Sequence, residues 1–175
     1  MTTEKALIVC RSVHHQNTAA VARVMADVLH ADVVTPEDCP ADRLGGYGLV
    51  GFGSGIYYGR FHPELREWVR GLPEHLCRGR RAFLFSTEGL PFLWRNWHAG
   101  LKADLVRKGF TIVGEFHCRG FDTFGPLWLT GGINRHHPDD RDLARATEFA
   151  RHLMEPRAVA TPATPLHGGG LADAR

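Results

Sequence analysis

The chain has 175 residues, a formal net charge of +2 at pH 7, and 43% hydrophobic and 23% charged residues. This length and composition are typical of one soluble globular domain, whose core needs neither a disulfide nor a metal for stability. The small net charge gives no reason to expect binding to nucleic acid or to an anionic membrane surface. No apolar stretch has the length of a membrane span and no signal-peptide pattern opens the chain, so we expect a cytoplasmic protein without membrane insertion.

An apolar run, a polar turn and an amphipathic helix open the chain. Ala6 to Cys10 is a short apolar run of the kind that forms a buried strand. Asn17 and Thr18 stand just ahead of the helix, where their side chains are placed to cap its first free amides. Such a helix N-terminus offers amide groups and partial positive charge to an anion such as phosphate. The helix itself is predicted from apolar residues that recur on one stripe: Val21, Val24, Met25, Val28 and Leu29.

The rest of the chain continues the alternation of strands and helices. Further strands are predicted at 32–34, 49–52, 81–85 and 110–118, and further helices begin near residues 63, 94 and 139. Five strands alternating with helices predict an α/β fold with a parallel sheet covered by helices on both faces. We assign residues 1–153 to this domain, and we expect residues 154–175, rich in Pro, Ala, Thr and Gly, to form a disordered tail.

Three polar or glycine-rich turns follow the first, third and fourth predicted strands. They run from Arg11 to Thr18, from Gly53 to Gly59, and from Ser86 to Gly89. Ligands of open parallel sheets bind at the carboxyl ends of the strands, so we expect these turns to converge on one crevice. A phosphate would suit the first turn. A flat aromatic ring would suit the other two, because glycines allow close approach and Tyr57 and Tyr58 can stack on the ring.

These turns, in this order along the chain, resemble the loops of the flavodoxin family. The turn from Ser12 to Thr18 resembles the phosphate loop of that family, in its Ser-x-x-His-x-Asn-Thr form. Residues 51–57 resemble the second loop, which holds the flavin ring, and residues 85–89 resemble the third. Residues 118–126 and 138–150 look like the C-terminal portion of this branch, so the resemblance covers roughly residues 5 to 153.

The resemblance implies a three-layer α/β/α flavodoxin-like fold with a five-stranded parallel sheet of order 2-1-3-4-5 and non-covalently bound FMN. Carried over by position, the phosphate-binding residues would be Ser12, Val13, His14, His15, Gln16, Asn17 and Thr18. The flavin ring would lie between two groups, the first being Ser54, Gly55, Ile56, Tyr57 and Tyr58, and the second Ser86, Thr87, Glu88 and Gly89. If the Glu88 side chain points inward, its charge would disfavour the anionic reduced ring.

The resemblance also implies electron transfer between redox protein partners, and we expect a monomer or a weak homodimer. No catalytic residue is predicted, because the flavin carries the redox chemistry. Two alternatives stay open. The first is an FMN-dependent NAD(P)H:quinone-type reductase, which would differ from an electron carrier by consuming NAD(P)H. The second is a flavodoxin-fold binding module, which would bind no flavin.

Other chemistries lack a residue that they require. Cys10 precedes a phosphate-like loop, but Gln16 occupies the place of the arginine in a Cys-x5-Arg phosphatase motif. Ser54 stands in Gly-Ser-Gly rather than in the Gly-x-Ser-x-Gly turn of a serine hydrolase. The adjacent pairs His14-His15 and His136-His137 lack the i, i+4 spacing of a helical metal site, so we predict no metal site. The four cysteines show no clustered spacing, and we expect them to be buried reduced thiols.

Overall fold

The computed structural model describes residues 4–13, 15–89, 94–121 and 132–155, and for residues 94–96 it describes the backbone alone. The strands within these ranges are β1 (Ala6–Arg11), β2 (Asp32–Val34), β3 (Leu49–Tyr57), β4 (Arg60–Phe61), β5 (Arg81–Glu88) and β6 (Thr111–Arg119). The helices are α1 (Asn17–Leu29), α2 (Pro63–Gly71), α3 (Trp94–Lys108) and α4 (Asp140–Met154). Two short 3₁₀ helices span Ala41–Gly46 and Glu74–Leu76.

Five of the strands form a parallel sheet in the predicted spatial order. The order is β2-β1-β3-β5-β6, and each strand in this order pairs in parallel with the next one. This is the predicted order 2-1-3-4-5, so the predicted fold class is confirmed. The sixth strand, β4, pairs antiparallel with the end of β3 and lies off this path.

Two apolar cores lie on opposite faces of the sheet and make the fold three-layered. Successive residues of β1 alternate between them: Ile8 packs with α1 and α4, whereas Leu7 and Val9 pack with α2 and α3. Because both faces of a central parallel strand are covered, such a strand reads as a continuous apolar run in the sequence. The same cores bury the four cysteines as free thiols, as predicted: Cys10, Cys39, Cys77 and Cys118.

The third strand is longer than predicted. We expected it to end at Phe52 and a glycine-rich turn to follow, but β3 continues through residue 57. Two of the glycines that suggested a turn serve packing instead, because a side chain at Gly51 or Gly53 would overlap the ring of Phe83 or Phe85 on β5. The strand β5 also continues through residue 88, so most of the third predicted turn is strand.

A tight hairpin that we did not predict follows β3. Tyr57 pairs with Arg60, which leaves Tyr58 and Gly59 as a two-residue turn. Both turn residues have positive φ, 50° and 73° respectively, the combination found in type I′ hairpins. Tyrosine is uncommon in this conformation, so the residue types gave no usual hairpin signal.

The prediction that Asn17 and Thr18 cap α1 is wrong. Both are already helical, and the N-cap residue is Gln16, with φ of 55° and no side-chain hydrogen bond to the helix. At the other end of the domain, α4 ends at Met154, the first residue of the predicted tail, and residues 156–175 lie outside the described residues. No helix in the described ranges combines the length and apolar character needed to cross a membrane.

Candidate cofactor-binding cleft

The start of α1, the carboxyl ends of β3 and β5 with the residue after each, and the two residues after β6 enclose a cleft of about 230 Å³. The cleft lies at the carboxyl ends of these parallel strands, which is where open α/β sheets bind ligands. Its wall contains residues from all three predicted loops and two residues after β6: Asn17, Thr18, Gly55, Ile56, Tyr57, Tyr58, Thr87, Glu88, Gly89, Gly120 and Phe121. The structure therefore brings the three predicted segments together.

Side chains at the start of α1 tie the cleft walls together. The hydroxyl oxygens of Thr18 and Thr87 lie 2.8 Å apart and share a buried hydrogen bond between α1 and β5. The Asn17 amide donates to the Phe121 carbonyl oxygen at 2.8 Å, which joins α1 to the segment after β6. Asn17 and Thr18 were predicted as helix caps. Instead, their side chains connect α1 to β5 and to the segment after β6.

Gly120 allows the segment after β6 to pass close to the other walls. Its amide donates to the Glu88 carbonyl oxygen at 3.0 Å. A Cβ atom at this position would lie 3.0 Å from Asn17 Nδ2 and 3.1 Å from Thr87 Cβ, both tighter than ordinary contacts. The side-chain amide of Asn134 donates to the Gly89 carbonyl oxygen at 2.9 Å and to that of Gly120 at 3.4 Å. A larger residue at position 120 would therefore displace Asn17 or Thr87 and change the shape of the cleft.

Gly120 and Phe121 are cleft residues that sequence reasoning did not name. The Phe121 ring also contacts the His15 ring, with centroids 4.2 Å apart. Their position directly after the carboxyl end of β6 was the available signal, because that strand ends at the same edge of the sheet as the three predicted loops.

The N-terminus of α1 is suited to an anion. Its first turn contains no acidic residue, so no local carboxylate offsets the partial positive charge that a helix carries there. The Ser12 hydroxyl accepts a hydrogen bond from the Ala19 amide at 3.2 Å, which positions the turn against the helix. Val13, His15 and Gln16 are exposed residues outside the cleft wall, and His14 lies outside the described residues.

Tyr57 and Tyr58 form the aromatic side of the cleft. A Cβ atom at Gly55 would lie 3.1 to 3.2 Å from the Tyr57 side chain, so this ring folds back over the glycine. The Tyr58 side chain is 85% exposed at the hairpin turn. Exposed aromatic side chains beside a cleft offer flat surfaces on which a planar ligand can stack.

Two serines predicted to line the cofactor turn away from the cleft wall. The Ser54 hydroxyl donates to the Gly55 carbonyl oxygen at 2.7 Å and accepts from the His62 amide at 3.0 Å. The Ser86 hydroxyl oxygen lies 2.8 Å from Nε2 of His98. Both hydroxyls are fully buried, because alternate residues of a strand point to opposite faces of the sheet. Their contacts position the hairpin and α3.

The Glu88 carboxylate is held within the fold. One oxygen lies 2.7 Å from Ser86 Oγ and the other 2.9 Å from Nδ1 of His117, and the side chain is 1% exposed. Repulsion of a reduced ring would require this carboxylate to point openly into the cleft. Its contacts with Ser86 and His117 show that it does not.

His98 is a buried polar residue that sequence reasoning missed. Its Nδ1 lies 3.1 Å from a Glu115 carboxylate oxygen, and its side chain is 1% exposed. Burial lowers the pKa of His98 to about 4, although the Glu115 carboxylate acts in the opposite direction. The signal was a histidine on the stripe of α3 that also contains Leu101 and Leu105, since an imidazole on an apolar stripe needs partners inside the protein.

Cys10 has no nucleophilic role at the phosphate-like turn. Its thiol is buried, and burial raises its pKa to about 12, against a smaller opposing effect of Arg23. A protonated thiol is a poor nucleophile. This agrees with the sequence, in which Gln16 occupies the position that arginine has in a Cys-x5-Arg phosphatase motif.

His137, Asp139 and Asp142 bring three potential ligand atoms within 4.8 Å of one another. Their hydrogen bonds already account for this arrangement. Asp139 and Asp142 form the capping box of α4, and Nδ1 of His137 lies 2.6 Å from a carboxylate oxygen of Asp142. The cluster therefore stabilises the start of a helix.

Comparisons with known proteins agree with this fold. A family model described as a flavodoxin domain matches residues 7–89. The chain is 40% identical over 151 residues to the uncharacterized protein MJ0298 of Methanocaldococcus jannaschii, covering 86% of this chain and 99% of that protein. A solved flavodoxin from the domain Archaea has a TM-score of 0.66 at 15% identity, over 86% of this chain and 96% of that chain. An NADH:FMN oxidoreductase in its apo form has a TM-score of 0.66 at 16% identity, over 87% and 89%.

The solved structures are distant enough in sequence that they show a shared fold alone. The family model spans β1 through the end of β5, which includes all three predicted loops. The similarity to MJ0298 extends over almost the whole of that protein. Together with the strand order and the cleft at the carboxyl ends of the strands, these matches show that the chain belongs to the flavodoxin family.

Proposed function

We propose that this protein binds FMN in the cleft and transfers electrons between redox protein partners. The observation that carries the proposal is the convergence of the α1 N-terminus and three glycines, Gly55, Gly89 and Gly120, on one cleft. A helix N-terminus suits a phosphate, and bare backbone suits a flat ring. FMN combines these two chemical parts in one molecule.

The residues at the phosphate end fit an anion of this kind. Amide groups at the start of α1 and the side chains of Ser12, Asn17 and Thr18 would hold the phosphate. Asn17 and Thr18 already lie in the cleft wall, fixed by their hydrogen bonds to Phe121 and Thr87. A site that is held in place before binding loses less conformational entropy when the ligand arrives.

The residues at the ring end would bind and orient the flavin. Ile56, Tyr57 and Tyr58 would contact one side of the ring, and Thr87 to Gly89 the other. Bound FMN supplies the redox chemistry, and the protein adjusts it through hydrogen bonds and nearby charge. The Glu88 carboxylate is engaged by Ser86 and His117, and these contacts would hold its charge within the fold.

The test is purification in excess FMN, removal of free ligand, an absorption spectrum, and chromatography of the released cofactor. We expect stoichiometric FMN. Gly120→Val should weaken FMN binding at least about tenfold, because a branched side chain must occupy the space between Asn17 and Thr87. Gly71→Ala is the matched control, since a Cβ atom there meets nothing within 4 Å. Absence of retained flavin, together with unquenched FMN fluorescence on titration, would contradict FMN binding and favour a binding module.

A second candidate function is oxidation of NAD(P)H by the bound flavin, followed by reduction of a quinone-type acceptor. A groove of about 610 Å³ adjoins the cleft, shares Tyr57 and Tyr58 with it, and carries the cationic side chain of Arg60. Its lining also includes Glu67 and two arginines, Arg66 and Arg70, that pair with the Asp104 carboxylate. Guanidinium groups bind phosphates well, so this groove would suit a dinucleotide. A fold similar to that of an NADH:FMN oxidoreductase supports the same candidate.

NAD(P)H consumption separates the two candidates. An electron carrier should oxidise NADH and NADPH slowly and should be reduced quickly by a partner reductase. A reductase should consume one of the nucleotides with a quinone acceptor, and Arg60→Ala should raise its KM without a similar fall in kcat. Arg78→Ala, an exposed arginine outside the groove, is the control.

A further inference from the structure

We propose that Glu115, His98, Ser86 and Glu88 form a proton relay between solvent and the cleft. This inference rests on the proposed function, because it assigns a route by which a proton reaches the bound cofactor. The four side chains are in continuous contact: Glu115 Oε2 lies 3.1 Å from His98 Nδ1, His98 Nε2 lies 2.8 Å from Ser86 Oγ, and Ser86 Oγ lies 2.7 Å from Glu88 Oε2.

The two ends of this chain lie in different environments. Glu88 is buried and belongs to the cleft wall. The Glu115 side chain is 20% exposed and is bonded to the amino group of Lys102 at the surface. Between these ends, Ser86 is completely buried and His98 is 1% exposed. Protons can therefore pass from the surface to the cleft wall through groups that water does not reach.

The sheet register explains why these side chains meet. Ser86 and Glu88 are two residues apart on β5, so they point to the same face of the sheet. Glu115 lies on the neighbouring strand β6, opposite Leu84 in the register, and reaches the same face. His98 projects from α3, which covers that face, and it completes the chain between the two strands.

The number of protons in this chain distinguishes a relay from a set of ordinary hydrogen bonds. Three contacts join the four side chains, and each contact needs one proton. A neutral imidazole carries one N–H and a serine carries one O–H, while ionised carboxylates carry none. With both carboxylates ionised and His98 neutral, one contact would place two lone pairs against each other. The chain is complete only when it holds one further proton.

Three arrangements with that further proton satisfy all three contacts. In one of them a cationic His98 donates from Nδ1 to Glu115 and from Nε2 to Ser86, and the Ser86 hydroxyl donates to Glu88; burial disfavours this one, because it lowers the pKa of His98 to about 4. The other two place the proton on a carboxyl group. In the first, Glu115 is protonated and donates to His98 Nδ1, His98 Nε2–H donates to Ser86, and the Ser86 hydroxyl donates to Glu88. In the second, Glu88 is protonated and donates to Ser86, Ser86 donates to His98 Nε2, and His98 Nδ1–H donates to Glu115. The shift breaks and forms three bonds to hydrogen, moves no electrons, and leaves one carboxylate ionised in each state. One proton is transferred from Glu115 to Glu88.

The groups around the chain are consistent with this exchange. His98 is neutral in both arrangements that place the proton on a carboxyl group, as expected for an imidazole whose pKa burial lowers to about 4. Within the described part of the chain, Lys102 contacts Glu115 and His117 contacts Glu88. A proton on Glu88 is held at a residue of the cleft wall.

Infrared spectroscopy of the ligand-free protein tests the proton count without any cofactor. The wild type at neutral pH should show the carbonyl stretch of one buried protonated carboxylic acid, shifted in D₂O. Glu88→Gln should remove this band, and Glu148→Gln, at an exposed residue of α4, should keep it. A wild-type spectrum without such a band, or a band that neither Glu88→Gln nor Glu115→Gln changes, would overturn the relay.

Proton uptake tests the transfer itself. FMN-loaded protein is reduced with dithionite in a stopped-flow instrument, and proton uptake is followed from the absorbance change of the flavin as it becomes protonated. Ser86→Ala breaks the chain and should slow uptake at least about tenfold, while Ser86→Thr keeps the hydroxyl and should restore it. Equal rates in the wild type and Ser86→Ala would overturn the relay. A protein that shows the infrared band but binds no FMN would support the proton chain and refute the proposed function, so the two failures differ.

Discussion

The burial of His98 predicts a specific dependence of stability on pH. In the folded protein, burial lowers the pKa of His98 from the ordinary value of 6.5 to about 4. The unfolded chain therefore binds a proton at this residue below about pH 6.5, whereas the folded protein does not until about pH 4. His98→Gln removes the titration while it keeps a polar side chain in the buried position. The wild type should consequently lose stability on acidification relative to this variant.

The size of the effect follows from the difference in pKa. One pKa unit corresponds to about 1.4 kcal/mol, so a decrease from 6.5 to about 4 corresponds to about 3 kcal/mol of unfolding free energy. This contribution is fully present above about pH 6.5 and is lost as the pH falls towards about 4. His98 is almost completely buried, so solvent screening does little to reduce it.

Urea unfolding at several pH values between about 7 and 4 measures the difference. The free energy of unfolding of the wild type minus that of His98→Gln should fall by about 3 kcal/mol over this range. His75→Gln, which removes an exposed imidazole on a 3₁₀ helix, controls for the general effect of losing a histidine. Parallel pH profiles would refute the assignment of a neutral buried imidazole. A wild type that gains relative stability on acidification would show instead that the Glu115 carboxylate holds His98 in its cationic form.

Three further substitutions test packing, the cleft and a buried ion pair. Gly53→Ala should lower the free energy of unfolding by about 2 kcal/mol, because its methyl group overlaps the Phe85 ring, and thermal or urea unfolding measures this. Asn17→Ala should weaken FMN binding about tenfold in a fluorescence titration, because it removes the hydrogen bond to the Phe121 carbonyl oxygen and a side chain of the cleft wall. Asp104→Asn should destabilise the fold by about 2 kcal/mol, since this buried carboxylate binds three arginine side chains from α2 and α3.

The controls for these variants lie in open or exposed positions. Gly45→Ala meets no atom within 4 Å, so equal losses for it and Gly53→Ala would contradict the steric explanation. Asp27→Asn removes an exposed carboxylate of α1, and an equal loss there would remove the special role of Asp104. Unchanged FMN affinity in Asn17→Ala would place the cofactor outside this cleft.

The sequence by itself determined the layers of the fold. The run from Ala6 to Cys10 and the stripe from Val21 to Leu29 predicted β1 and α1, because strands buried on both faces and helices buried on one face impose different spacings of apolar residues. The alternation of such elements predicted the parallel sheet, and the resemblance to the flavodoxin family implied its strand order. The same alternation placed three loops at one edge of the sheet, so the position of the cleft could also be predicted.

Tertiary structure decided which side chains reach the cleft. Gly53 and Gly55 have the same residue type within one strand, yet the first accommodates the Phe85 ring and the second lies in the cleft wall. Ser86 and Thr87 are chemically similar neighbours, but their side chains point to opposite faces, one to His98 and one to Thr18. A local pattern does not specify such differences, because they depend on strand register and on contacts between residues far apart in the chain.

The polar chain beneath the cleft shows the same limit most clearly. Its four members come from β5, α3 and β6, and a spacing in the sequence connects only Ser86 with Glu88. Buried polar groups need partners because water cannot reach them, so the sequence could indicate only that His98 requires a partner. The tertiary structure decided which partners it has. Because α3 packs across β5 and β6, His98 lies within hydrogen-bonding distance of Ser86 and Glu115, and Ser86 in turn contacts Glu88.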